Sequence, residues 1–371
     1  ATRAATVRLN ALPTVNAVSG NSVSRLTNIT LTATGVVDDT TVGRVEFWRD
    51  VNGNGTFETG IDRLVGTDSS STGGWTVSVA TNGYATGTNT FFAIAYDSDG
   101  VASATPPTSG TGTVNNVSPS SPTLSAAPAV IATIGDNMTL SAGNVSDPDG
   151  TVAAVRFYFD SNGNGSYDAG TDTLVGEDTS SANGWTLTFA TTGYPVATNR
   201  FFAVTVDNDG ANSLPGTATN RINARPTIDD VNAGTAERLS NTIISATDVV
   251  DTDGTISRVE FFRDRNANGI IDAADQSLGN GTRQTATNNW NLTASTSGWA
   301  TGANTILVRA IDNNNGNSVI STATVNVVNA RPNTPTLSTN PAIVATIGDN
   351  MTLTAGNVSD RDGTVASVRF Y

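Results

Sequence analysis

Apolar and polar positions alternate with period two through most of this chain. Ile29, Leu31 and Ala33 are separated by threonines, and Val45 and Phe47 by a glutamate. In an extended backbone successive side chains point to opposite faces, so each run predicts a strand with one buried side. The same phasing returns at Met138, Leu140 and Ala142, at Val155 and Phe157, at Ile244 and Ala246, and at Val259 and Phe261. After the acidic loop come Leu64-Val65-Gly66 in the first copy and, beyond a turn, a strand led by Trp75, Trp185 or Trp290. An aromatic corner at Tyr84, Tyr194 or Trp299 follows, then an apolar run, 91–96 in the first copy, that ends on aspartate. A weaker strand reaches the next proline. Nothing shows the 3.6-residue period of an amphipathic helix. About seven short strands in roughly 105 residues predict an all-β fold of tandem immunoglobulin-like β-sandwich domains in a linear array, with a small closed barrel as the alternative.

The pattern also repeats at domain scale. Pro13 lies 213 residues before Pro226, and Pro122 lies 213 before Pro335; residues 335–371 match 122–158 at 30 of 37 positions. The period is therefore a pair. This reading makes residues 1–12 the end of a preceding repeat, 13–121 a repeat of type A, 122–225 type B, 226–334 type A, and 335–371 the first part of a further type B repeat. A chain that opens and closes inside repeats is expected to be a segment of a longer array. The Asn-Ala-Arg-Pro linkers at 223–226 and 329–332 are too short for free tumbling, so neighbours should touch.

Between the Val-x-Phe and Leu-x-Gly strands lies an acidic loop running from Asp50 to Asp62, with copies starting at Asp160 and Asp264. Oxygen side chains at loop positions 1, 3, 5 and 9, with glycine at 6, are what a hard cation needs from one short loop. The candidate calcium ligands are Asp50, Asn52, Asn54, Thr56 through its carbonyl, Glu58 and Asp62. In the second copy they are Asp160, Asn162, Asn164, Ser166, Asp168 and Asp172, and in the third Asp264, Asn266, Asn268, Ile270, Asp272 and Asp275. No Glu stands at position 12 and two ligands are neutral amides, so a dissociation constant on the order of 10⁻⁴ to 10⁻³ M is expected. Asp275 sits one residue early, with Gln276 in the aligned place, which predicts the weakest site. The competing reading is a plain Asn-Gly turn between strands. The acids at positions 9 and 13 favour the cation.

Two further sets of acidic turns recur. One comprises Asp38-Asp39, Asp147-Pro-Asp149, Asp251-Thr-Asp253 and Asp360-Arg-Asp362; the other comprises Asp97-Ser-Asp99, Asp207-Asn-Asp209 and the turn after Asp312. In an immunoglobulin-like topology both lie at the pole facing the preceding repeat, where they either share a calcium at the joint or serve as ordinary Asx turns.

Composition removes whole classes of chemistry. Cys and His are absent and all 19 basic residues are Arg, which excludes thiol nucleophiles, imidazole bases, Schiff bases and the usual zinc sites. No catalytic residue is assigned, because acids copied in every turn are unlike the single carboxylate pair of a glycosidase. The net charge of −14 argues against nucleic acid and anionic membrane. No apolar run approaches a membrane span, so no membrane insertion is expected in this segment and any secretion signal or anchor should lie outside it. Each strand-leading Trp is read as core rather than as a sugar-stacking platform.

The string Val-Glu-Phe-(aromatic)-Arg-Asp-x-Asn-(Gly/Ala)-Asn-Gly, with the later Trp-led strand and Asp-x-Asp-Gly, resembles the immunoglobulin-like repeats of very large secreted bacterial surface proteins. The loop itself resembles the calcium loops in the B-type repeats of staphylococcal serine-aspartate adhesins. The resemblance covers essentially the whole chain. It implies a non-enzymatic extracellular or cell-surface protein, a calcium-stiffened array forming a fibre, sheath or stalk, whose partners are calcium ions and other copies of itself or neighbouring repeats. The alternatives are the stalk of a cell-surface adhesin, and spacer or carbohydrate-binding repeats of a secreted hydrolase.

Overall fold

A computed structural model describes residues 7–371; residues 1–6 of the expected preceding-repeat tail lie outside the described residues. Strands form where the period-two runs occur. In the first repeat these are β1 (Ala17–Gly20), β2 (Ser22–Ser24), β3 (Asn28–Thr34), β4 (Val42–Arg49), β5 (Arg63–Asp68), β6 (Trp75–Ala80), β7 (Gly87–Asp97) and β8 (Thr108–Asn115). There are eight rather than about seven, because the first segment breaks at Asn21. On one side of the break β1 pairs antiparallel with β3, and on the other β2 pairs parallel with β8. One short stretch thereby contributes an edge to each of two sheets.

Those sheets run β1-β3-β6 and β2-β8-β7-β4-β5. Val18, Ile29, Leu31 and Trp75 from the first meet Val45, Phe47, Phe91 and Val114 from the second in one buried cluster. Two open sheets closed over a shared core are a β-sandwich, and the barrel alternative falls. The third repeat follows the same plan. Asp230–Asn232, Asn241–Thr247, Trp290–Ser295 and Thr282–Arg283 form one sheet, and Thr235–Glu237, Ser321–Val328, Gly302–Asp312, Ile256–Arg263 and Gln276–Asn280 form the other. Its core is built on Ile244, Val259, Phe261, Trp290, Trp299 and Val308. Among the described residues there is no helix, and the fold is all-β, of tandem β-sandwich domains.

By contact density the chain divides into two compact units. One is built on residues up to Ala126 with Thr139–Thr188 and Arg200–Ala218; the other comprises Ala127–Met138, Phe189–Asn199 and Thr219–Tyr371. Within the first, Val152–Phe159 pairs antiparallel with Thr173–Asp178 and with residues 201–207. Within the second, Ile131–Thr133 runs parallel to 221–223, and Thr336–Asn340 forms a hairpin with Thr352–Gly356. Trp75 and Trp290 are buried, as a core role requires, whereas Trp185 is half-buried; nothing in the structure explains the difference.

The acidic loop joins β4 to β5 at the edge of the five-stranded sheet. A bulge between Phe47 and Trp48 precedes it, and the same register shift falls between Phe157 and Tyr158 and between Phe261 and Phe262. Opposite the bulge Gly66 lies under Val77, where an added Cβ would come within 3.0 Å of the valine Cβ. The bulge bends the strand and sets the direction in which the loop leaves the sheet. Phe47 is fully buried beneath it. Phe47→Ala is expected to destabilise the first repeat by about 3–5 kcal/mol, read as a lower denaturation midpoint by tryptophan fluorescence.

Candidate functional site

The loop begins on a fixed point, because the Asp50 N–H donates to the Thr90 carbonyl of β7 at 3.1 Å. From there Asp50 reaches inward. One carboxylate oxygen accepts from Gly53 N–H and the other from Gly55 N–H, both at 2.7 Å. At the far end Asp62 accepts from Glu58 N–H at 2.7 Å and from Val51 N–H at 3.3 Å. Asp50 and Asp62 are only 5% and 6% exposed. A carboxylate so far from water must be met by donors, and here the loop backbone supplies them.

Between these two acids stand the asparagines. Asn52 Oδ1 accepts from Asn54 N–H and Asn54 Oδ1 from Thr56 N–H, while both side-chain amides donate to Glu58 Oε2, at 2.8 and 2.9 Å. Partial positive charge from two amides thus converges on the position-9 carboxylate. The second loop repeats this wiring: Asp160 holds Gly163 and Gly165, Asn162 and Asn164 converge on Asp168, Ser166 N–H donates to Asn164, and Asp168 N–H to Asp172. In the third, Asp264 holds Ala267 and Gly269, Asn266 and Asn268 converge on Asp272, and Ile270 N–H donates to Asn268.

Asp275 is displaced in sequence but does the work of Asp62. It accepts from Asp272 N–H at 3.0 Å and Arg265 N–H at 3.2 Å. The missing residue is absorbed by a tighter turn: Asp62 N–H returns to the carbonyl four residues back, Asp275 N–H to the one three back. Asp264 and Asp275 are nevertheless half-buried where their counterparts are buried. The third loop is the most open.

Sequence reasoning overlooked position 8. Phe57 packs edge-on against both Trp48 and Phe92, with ring centroids 5.4 and 5.5 Å away, and Tyr167 lies against Tyr158 and Phe202. A large apolar or aromatic residue at this position in every copy was the available signal, and in the first two loops it packs on the sheet. Ile271 stands there in the third copy.

The other acidic turns meet the linkers. Asp97, Asp207 and Asp312 each take N–H groups from their own turn on one oxygen, and on the other the side-chain amide of Asn10, Asn116 or Asn223 at 2.6–2.7 Å. The next linker N–H, of Ala11, Val117, Ala224 or Ala330, donates to Asp39, Asp149, Asp253 or Asp362. An asparagine at or just past the end of the last strand, Asn116, Asn223 and Asn329, was the unread signal for this joint. Among the described residues no three acidic side chains gather closely enough to hold a metal by carboxylates alone.

Protonation follows the same contacts. Donation from Asn162 and Asn164 holds Asp168 below the usual carboxylate range; for Asp272 the Ala274 N–H is the main cause, with the two asparagine amides behind it. Burial pushes Asp147 and Asp251 up, aided by the facing carboxylates of Asp149 and Asp253.

No family model matches the sequence, and comparison with curated proteins gives no match. Among solved structures the chain is similar to the fibronectin(III)-like modules of Clostridium thermocellum CbhA, at 21% identity and TM-score 0.24, over 57% of this chain and 95% of that one. It is also similar to the chicken CNTN1 FN1–FN3 domains, at 13% identity and TM-score 0.31, over 83% and 98% of the two chains. Immunoglobulin domains 1–5 of Sidekick-1 align at 13% identity and TM-score 0.33, over 87% of this chain and 60% of that one. The fold assignment rests on the sheet pairing above.

Two outcomes follow for the loops. Ala267 holds φ +59°, where the equivalent Gly53 and Gly163 hold +70°; a left-handed Ala costs about 1 kcal/mol, so Ala267→Gly is expected to stabilise the third repeat by about that amount in denaturant titration. Asp168 has a lowered folded pKa, so its stabilisation is complete above the unfolded value near 3.9 and is lost as pH falls through the folded value. Asp168→Asn should therefore lower the melting temperature at pH 7 and flatten its acid-side decline, measured by calorimetry from about pH 5 to pH 2.

Proposed function

We propose that this chain is a non-enzymatic structural repeat array, extracellular or at a cell surface, whose inter-strand loops take calcium and stiffen each domain. The observation that carries the reading is the pair of nearly buried carboxylates, Asp50 and Asp62, bracketing Glu58 within one loop and wired alike in each copy. A bare Asn-Gly turn needs neither the acid at position 9 nor the one near position 13. The donor set fits a hard cation, being wholly oxygen with three carboxylates per loop, and Asp172 Oδ1 is a buried oxygen with no hydrogen-bond partner.

Asp50, Asn52, Asn54, the Thr56 carbonyl, Glu58 and Asp62 would hold the ion, with the corresponding residues in the other two loops. Calcium would supply positive charge to the three carboxylates of the loop, with amide and backbone oxygens completing the donor set. The two asparagine amides donate to Glu58 and would turn to present oxygen to an ion. Asp50 and Asp62 keep the loop ends together, while Phe57 holds the loop on the sheet. Ion binding favours only the closed loop, so stability rises with external calcium by mass action. The array would then serve as a fibre, sheath or stalk, with other copies or neighbouring repeats as its contacts.

Chelation is expected to lower the melting temperature and to speed proteolysis within residues 52–62; an unchanged melt in chelator would refute the calcium reading. Asn54→Asp sharpens the test, since it removes an amide donor and adds a charge. It should melt lower than the parent in chelator and gain more from added calcium, whereas a plain turn would show the loss without the gain. Electron microscopy of the full-length protein distinguishes filaments from isolated stalks.

A further inference from the structure

The joints differ in how completely their buried oxygens are paired. Between the first and second repeats, Asp149 has a side chain with no exposed surface. Its Oδ2 accepts from Val117 N–H and faces Arg25 at 3.6 Å, but its Oδ1 has no hydrogen-bond partner. Asp147 Oδ2 and Asn116 Oδ1 are likewise buried without partners. These three oxygens belong to one neighbourhood. Asp147 accepts Asp149 N–H at 3.4 Å, Val117 adjoins Asn116 in the chain, and Asn116 Nδ2 is committed to Asp207 at 2.6 Å, leaving only its oxygen free.

Charge is unbalanced there as well. Arg25 donates to the Asp149 carbonyl at 2.8 Å and pairs with Asp209 at 3.3 Å. That guanidinium reaches two carboxylates, Asp149 and Asp209, while Asp147 stands against the like charges of Asp149 and Asp207. A buried oxygen without a donor is destabilising, and three beside surplus negative charge are the environment a hard cation relieves.

The next joint shows the contrast. Asn314 replaces Asp209 and donates to Asn223 Oδ1 at 2.6 Å, so the counterpart of the Asn116 oxygen is satisfied. Arg221 takes Asp253 Oδ2 at 2.9 Å and Ala224 N–H takes Oδ1 at 3.1 Å. Only Asp251 Oδ2 remains without a partner. At the following A-to-B joint, Asp362 repeats the first pattern: its Oδ2 accepts Ala330 N–H while its buried Oδ1 has no partner.

We propose that the joint between the first and second repeats binds a hard divalent cation through Asp147 Oδ2, Asp149 Oδ1 and Asn116 Oδ1, whereas the joint between the second and third is closed by Arg221 and Asn314 and binds none. The two-repeat period then has a mechanical meaning. Joints alternate between one stiffened by external calcium and one locked by the chain's own donors.

Calorimetric titration of the whole chain with calcium tests this against the loop sites. Asp147→Asn is expected to bind one ion fewer than the parent, and Asp251→Asn to bind as many as the parent. In chelator Asp147→Asn should melt no lower than the parent, because it relieves repulsion, which separates site loss from misfolding. With calcium present its 117–121 linker should lose the protease protection seen in the parent. Unchanged stoichiometry in Asp147→Asn, or loss of an ion in Asp251→Asn as well, overturns the inference. Glu58→Gln removes a loop ligand alone. If that variant binds as many ions as the parent while Asp147→Asn still loses one, the loop reading fails and the joint site stands.

Discussion

A carboxylate removed from water has to be surrounded by donors, and the aspartate ending the long central strand of each domain imposes this requirement on everything near it. Asp97, Asp207 and Asp312 are 1–2% exposed. Each draws two N–H groups of its own turn onto one oxygen, which fixes the turn, and takes a linker asparagine on the other. The turn in turn clasps its neighbour at the same pole: Asn208 N–H reaches the Thr151 carbonyl, and Asn313 N–H the Thr255 carbonyl. Strand end, two turns and linker are thereby held by one buried charge. Losing any donor would leave that charge exposed to the interior, which costs more than an ordinary hydrogen bond returns.

The inter-strand loops apply the same rule with less burial. Asp50 and Asp62 are satisfied by backbone N–H groups, and the asparagines mediate between them and Glu58. A chain without Lys or His has few cations of its own, and its 19 arginines are spread along the strands and linkers. Backbone N–H groups and asparagine amides are the other sources of positive potential that meet these carboxylates. That shortage accounts for the chain's reliance on Asn-Gly turns and for its unevenly neutralised joints.

Much of the architecture was legible from period-two patterning. Ile29, Leu31, Val45 and Phe47 are buried because alternation places them on one face, and a strand has only two. Positions 3 and 5 do meet the acid at position 9 within each loop, since local chain reversal at Gly55, Gly165 and Gly269 is encoded by residues that tolerate φ near +72 to +80°. The break at Asn21 was not legible. Which sheet each half of a short strand joins depends on partners far along the chain, β3 for one and β8 for the other.

The sequence by itself determined the all-β class, the paired repeat, the inward set of apolar side chains and the oxygen-rich loops, because each is a matter of spacing over a few residues or of identity between copies. Only the tertiary structure decided that Asp275 substitutes for Asp62 through a shorter turn, that Phe57 and Tyr167 anchor their loops, and that linker asparagines meet the carboxylates at the ends of the long strands. It also decided which buried oxygens found donors and which did not. Pairing of that kind is set by where separate segments meet in space, and no local pattern carries that information.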